Sequence, residues 1–224
     1  MKPKNIGIVG GAGPMAGVLL TERVLALASS LYQCQRDRDF PQVTLFSFPF
    51  SEMLTDTVQE EILKGELTRA LDTLKRTGAE VLAIACNTVH AFLSPEMRAS
   101  IIHMPLMTRE RVRGRRAMVL STSTSVKKNV HGACFPSVYP GKEVQREIDL
   151  LIDRVLRRED LDLCKRELKR IVEAVERPDL PLVLGCTELS LIKEGLVGFE
   201  GEIIDPLEIV AQEVIEKSFN NKEK

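Results

Sequence analysis

Two cysteines in the chain have matching surroundings. The first follows the apolar run Val81-Leu82-Ala83-Ile84-Ala85 and opens Cys86-Asn87-Thr88-Val89-His90. The second follows Leu182-Val183-Leu184-Gly185 and opens Cys186-Thr187-Glu188-Leu189, 100 positions later. Thiols at the ends of two buried strands can face each other across one pocket. One could then take a proton from one face of a carbon while the other returns a proton to the opposite face. N–H groups at a helix start would lower the Cys86 thiol below its ordinary pKa of about 8.5, and Asn87 and Thr88 are compact donors able to hold a carboxylate. Glu188 adds an acid to the second motif. It is either a base partnering the thiol or a helix-start carboxylate favoured by the dipole. A buried cysteine is most often packing, so it is the repeated setting that argues for chemistry.

The other thiols and imidazoles lack such a setting. Cys164 falls on an amphipathic stretch and reads as packing, while Cys34 and Cys134 fall in polar, loop-like sequence. His90 could orient a substrate or cap the following turn, and capping is the commoner role. His131 sits in a glycine-containing loop with no partner visible. Gly10-Gly11-Ala12-Gly13-Pro14 could offer backbone N–H groups to a carboxylate, form a tight turn without a ligand, or cradle a nucleotide phosphate. It is neither G-x-G-x-x-G nor a P-loop, which weighs against the nucleotide. No zinc-like spacing of Cys and His is present.

Alternating apolar and amphipathic segments must position these residues. Strands are expected over 5–9, 42–46, 81–85, 116–120, 182–184 and 203–204, and helices over 15–31, 58–76, 143–158 and 161–176. Asp205-Pro206 opens a last helix, as an N-cap residue followed by proline at the first helical position. Alternation of this kind predicts an α/β fold with parallel sheets and crossover helices. Residues just past the carboxyl ends of such strands line the ligand crevice, and both cysteines take that place.

The bulk numbers exclude several functions. In 224 residues, 31 basic and 32 acidic side chains give a net charge of −1. That balance leaves no footprint for nucleic acid or an anionic membrane. With no Trp and two Tyr, base stacking is not expected. No signal peptide or membrane span is expected near the start, so a cytoplasmic protein is expected. Five cysteines in a reducing compartment predict no disulfide framework.

Gly10 to Pro14, Cys86 to His90 and Gly185 to Glu188, in this order and spacing, resemble the aspartate/glutamate racemase superfamily, and its aspartate racemase branch above all. The glutamate branch differs in carrying an Asp-Ser-Gly loop and a His after Cys-Thr. The resemblance implies two similar lobes, each a parallel sheet flanked by helices, with the active site in the cleft between them. The lobes would comprise 1–107 plus 195–224, and 108–194. It further implies Cys86 and Cys186 as opposed acid and base, no pyridoxal phosphate or other cofactor, no metal, an acidic amino acid as substrate, and a homodimer. Substrate binding would fall to Gly11, Met15, Asn87, Thr88, Thr122, Ser125, Arg157, Thr187 and Glu188. Aspartate is the expected substrate, with glutamate or a broader set as the alternative. A degenerate protein that binds an acidic amino acid without turnover is the reading from another class. A maleate isomerase-like use of the two thiols is a further chemistry open to the pair.

Some positions depart from the branch pattern. Gly17 stands where the loop usually ends in Thr, and no Arg follows the second strand in the segment 47–52. Ser121 and Ser125 replace Gly and Thr of a Gly-Thr-x-x-Thr element. The stretch 106–144 reads as shortened: the helix before the second lobe's first strand is expected to be nearly absent, leaving a brief basic run over 108–115 and a less closed cleft.

Overall fold

The computed structural model describes residues 2–51, 59–175, 177 and 179–220. In chain order the elements are β1 (Ile6–Gly10), α1 (Pro14–Tyr32), β2 (Val43–Ser47), α2 (Glu60–Arg76), β3 (Val81–Ile84), α3 (Pro95–Ser100), α4 (Met104–Val112), β4 (Ala117–Leu120), α5 (Ser123–Lys127), β5 (Ser137–Val138), α6 (Lys142–Leu156), α7 (Leu161–Val175), β6 (Leu182–Leu184), α8 (Thr187–Leu191), β7 (Ile203–Ile204) and α9 (Pro206–Phe219). Short 3-10 turns at Asp37–Asp39, Thr88–Phe92 and Lys193–Leu196 complete the list. The expected strands and helices are present within a residue or two. Val58, Glu52, Glu176 and the tail at 221–224, which entered the sequence expectations, lie outside the described residues.

Two parallel sheets result, β2-β1-β3 and β5-β4-β6-β7. A parallel bridge from Ala83 to Ile102 gives the first sheet a rudimentary fourth member beside β3. Each sheet therefore runs second, first, third, fourth, and β3 and β6 occupy equivalent places. β1 is buried along its whole length, as a central parallel strand covered on both faces must be. On α1, Ala16, Leu20, Val24 and Ala28 recur at four-residue spacing and are all fully buried. They pack with α9 residues Leu207, Val210, Ala211 and Val214, and each large one contributes about 1.5–3 kcal/mol by leaving water. By length and apolarity α1 is also the described helix that could cross a membrane; here its apolar stripe faces the core. In the second lobe α6 and α7 bring Ile148, Leu151, Ile152, Val155, Leu168 and Ile171 onto β4 and β6, and Cys164 is buried among them as packing.

Two expectations are corrected. The helix before β4 is present: α4 spans nine residues and buries Met104, Thr108 and Val112, one turn apart, so the basic residues around them ride on its outer face. The return to the first lobe comes later than 195, because β7 pairs with β6 through Leu182–Ile203 and Val183–Ile204, and only α9 goes back to the first sheet.

Candidate active site

Cys86 and Cys186 each lie two residues beyond the end of their strand, Ile84 in β3 and Leu184 in β6. Both line one cavity of about 400 Å³ between the two sheets. They are 7% and 6% exposed, so the cleft is closed at its floor. The motifs also brace each other across the cleft. Thr187 Oγ1 donates to the Ala85 carbonyl (3.4 Å), while Thr88 Oγ1 is hydrogen-bonded to Ser125 Oγ (2.9 Å) and lies 3.4 Å from Thr122 Oγ1. Thr122 caps α5 by accepting from the Ser125 N–H at 3.1 Å. The loop carrying Thr122 is held from α6, because Asp149 accepts from the Ser123 N–H and Gln145 Nε2 donates to the Ser121 carbonyl.

The other predicted residues divide into those on the cavity wall and those behind it. Gly11, Asn87, Thr88, Thr122, Arg157, Thr187 and Glu188 line the cavity. Met15 and Ser125 do not; Ser125 stands behind Thr88 and positions its hydroxyl. Asn87 is 1% exposed, and neither atom of its side-chain amide has a hydrogen-bond partner among the described residues. A buried unsatisfied amide costs about 1–3 kcal/mol, so this group is suited to meeting a bound molecule. Ala12, Gly13 and Pro14 of the expected glycine loop line it too, whereas sequence reasoning missed Phe50, Ser51, Ile152, Asp153 and Leu156, which also line the cavity. Asp153 had a visible signal in its i,i+4 spacing from Arg157, to which it is paired at 2.9 Å.

Glu188 lies inside the site. The Cys186 thiol donates to its Oε2 at 2.9 Å, and the Thr187 hydroxyl lies 3.4 Å from the same oxygen. The glycine loop leaves room for this carboxylate: Gly13 has φ +83°, and a Cβ there would stand 1.7 Å from Glu188 Oε1. Any residue but glycine would therefore clash as well as strain the left-handed backbone.

The electrostatics run against the expected thiol acidity. Burial pushes Cys86 up to about 12, Glu188 adds to the rise, and the N–H groups of Val89 and Thr88 only partly offset it. Burial and the adjoining carboxylate hold Cys186 well above the usual thiol range. Glu188 is itself raised by burial. The helix-start N–H effect is real but smaller than the cost of placing a thiolate in a closed cleft.

His90 is structural. Its Nδ1–H donates to the Cys86 carbonyl (2.8 Å), and its Nε2 accepts from the Met104 N–H (3.2 Å) at the start of α4. The second bond requires the neutral ring, in keeping with a pKa lowered to about 3 chiefly by burial. His131 is fully buried in the second lobe, with both ring nitrogens unpartnered among the described residues. No three His, Cys, Asp or Glu side chains among the described residues converge as metal ligands.

The sequence pattern of the Asp/Glu/Hydantoin racemase family matches residues 9–214. The chain belongs to this family. Among curated proteins of the family's chemistry, the broad specificity amino-acid racemase RacX of Bacillus subtilis (strain 168) is 20% identical over 221 residues, covering 94% of this chain and 96% of that protein. The aspartate racemase of Picrophilus torridus superposes with a TM-score of 0.78 at 19% identity, covering 96% of this chain and 94% of that one. An aspartate racemase homologue from Pyrococcus horikoshii OT3 gives 0.70 at 23% identity, covering 98% and 100%. Glutamate racemase from Francisella tularensis gives 0.69 at 15% identity, covering 99% and 83%. The two parallel sheets flanked by helices are thus the two-lobed racemase fold, and membership of the family implies an isomerase.

Proposed function

We propose that the chain is a cofactor-independent amino-acid racemase in which Cys86 and Cys186 act as opposed acid and base on the α-carbon. The observation that carries this reading is the pair of buried thiols, brought by equivalent strand ends of two like sheets to one cavity that also holds an amide without a partner among the described residues. In the reaction one cysteine is a thiolate and removes the α-proton. The opposite thiol delivers its own proton to the other face, and the two exchange charge states in each turnover. Asn87 and the backbone of the Gly11 loop hold the α-carboxylate. A substrate ammonium entering the cleft supplies the positive charge that a buried thiolate otherwise lacks, and Glu188 takes the Cys186 proton when that residue serves as base. The carbanion forms where water is excluded and donors are fixed in advance.

Motif resemblance puts aspartate first for assay, followed by glutamate and a broader set. A homodimer in a reducing compartment, with all five thiols free, completes the reading.

The test is incubation of the purified protein with L-amino acids in D₂O without pyridoxal phosphate, following α-deuteration and the D enantiomer. Exchange is expected, and Cys86→Ala or Cys186→Ala should abolish racemisation. Binding without exchange by the unaltered protein would favour a binding protein that has lost turnover. Near-normal turnover in either variant would overturn the two-thiol assignment.

A further inference from the structure

We infer that the cleft takes an amino acid whose side chain carries no carboxylate, an aliphatic chain in place of a second acid. The inference rests on the racemase reading of the cleft and narrows its substrate. The charged residues lining the cavity are Asp153, Arg157 and Glu188. Arg157 is the cation among them, and it is already engaged: its Nη2 lies 2.9 Å from Asp153 Oδ2, and its side chain is 66% exposed. With one cysteine a thiolate, the lining therefore carries one negative charge when Glu188 is protonated and two when it is ionised. Among the described lining residues, neither state leaves a cation other than the paired Arg157 for a second carboxylate.

Two further features point the same way. Ile152, Asp153 and Leu156 belong to the last turn of α6, with Arg157 as its C-cap. A helix carboxyl end carries partial negative charge and repels an anion. Ser51, the exposed polar residue of this wall, has spent its donors: its N–H and hydroxyl both donate to Glu66, at 3.1 and 2.8 Å. On this wall, what remains is apolar surface from Phe50, Ile152 and Leu156. A second carboxylate would lose its water there without gaining a partner, whereas a methylene chain gains by the same burial.

The test compares L-norleucine and L-methionine with L-aspartate and L-glutamate, each at sub-saturating concentration with the full chain in D₂O. The readouts are α-deuteration and protection of Cys86 and Cys186 from alkylation. The aliphatic substrates should exchange at least about tenfold faster than either acid, the scale on which pockets discriminate apolar groups. Asp153→Asn, which releases Arg157, should move the ratio toward the acids by about tenfold. Should the protein bind without turnover, the same order is expected in protection. Aspartate or glutamate exchanging as fast as norleucine would overturn this inference while leaving the racemase reading intact. No exchange and no protection by any of the four would sink both.

Discussion

Replacing Glu188 by Gln should make Cys186 more reactive, although the variant is a poorer enzyme. The Glu188 carboxylate lies 2.9 Å from the Cys186 sulfur in a closed site and raises that thiol both by its charge and by accepting its proton. Two unit charges about 4 Å apart at an effective dielectric of about 20 repel by about 4 kcal/mol. At about 1.36 kcal/mol per unit, that is about three pKa units. This is a ceiling, because burial works against the charged form of Glu188. A fall of one to three units multiplies the thiolate fraction by about ten per unit, but each thiolate becomes a weaker nucleophile with a Brønsted slope of about 0.4–0.5. The net gain is about threefold per unit, or about 3- to 30-fold in all. The assay is thiol exchange with methyl methanethiosulfonate at pH 7.5, resolved by mass spectrometry of the Cys186 peptide. Cys86, which Glu188 also raises, should gain less. Racemisation should meanwhile fall by about 10- to 100-fold, the worth of a charge-assisted hydrogen bond of about 1.5–3 kcal/mol. Equal or slower modification of Cys186 would refute the electrostatic account, since Gln keeps the shape and removes only the charge.

Other outcomes are expected. Gly13→Ala should destabilise the fold by about 1–3 kcal/mol through the positive φ and displace Glu188, which a melting curve would register as a fall of about 2–4 °C per kcal/mol. His90, His103 and His131 are lowered to about 3, 4 and 4, each with burial as the largest cause. Their folded pKa values lie below the unfolded value of about 6.5, so the unfolded chain binds protons first as pH falls. Stability is therefore full above about pH 6.5 and lost below it, by up to about 4 kcal/mol per pH unit when all three act. Urea titrations that stay flat from pH 7.5 to 5.5 would contradict this, and His131→Gln should remove about a third of the slope. Leu20→Ala, in the fully buried stripe of α1, should cost about 2–5 kcal/mol in the same titrations.

The sequence disclosed those parts of the fold that rest on local pattern. Buried strands showed as apolar runs, and Asp205-Pro206 marked α9, where the Asp205 side chain indeed accepts from the Leu207 N–H. The helix α4 was missed because Arg109, Arg111, Arg113 and Arg115 alternate with period two and mask a four-residue stripe of Met104, Thr108 and Val112. Its N-cap is His103, a residue that rarely signals a helix start, accepting from the Leu106 N–H. The cysteines were legible because each follows its strand directly. Their acidity was not, since N–H donors are written in the local sequence whereas burial depends on both lobes. Phe50 reaches the cavity from the loop after β2, and Asp153 and Leu156 from α6, about a hundred residues later, so only the assembly shows that they share one wall.

The two sheets share one strand order, and the reaction proposed between them has a symmetry of its own. Enantiomers of an amino acid have equal free energy, so a racemase cannot favour one at equilibrium. Under the proposed reaction, kcat/KM must be the same from either side. Yet the chain breaks its own symmetry at one place: Cys186 has a carboxylate at 2.9 Å, whereas the corresponding position after Cys86 is Thr88. Any bias introduced by Glu188 must therefore appear as paired changes in kcat and KM that cancel in their ratio. The enantiomer turned over faster is the one held less tightly.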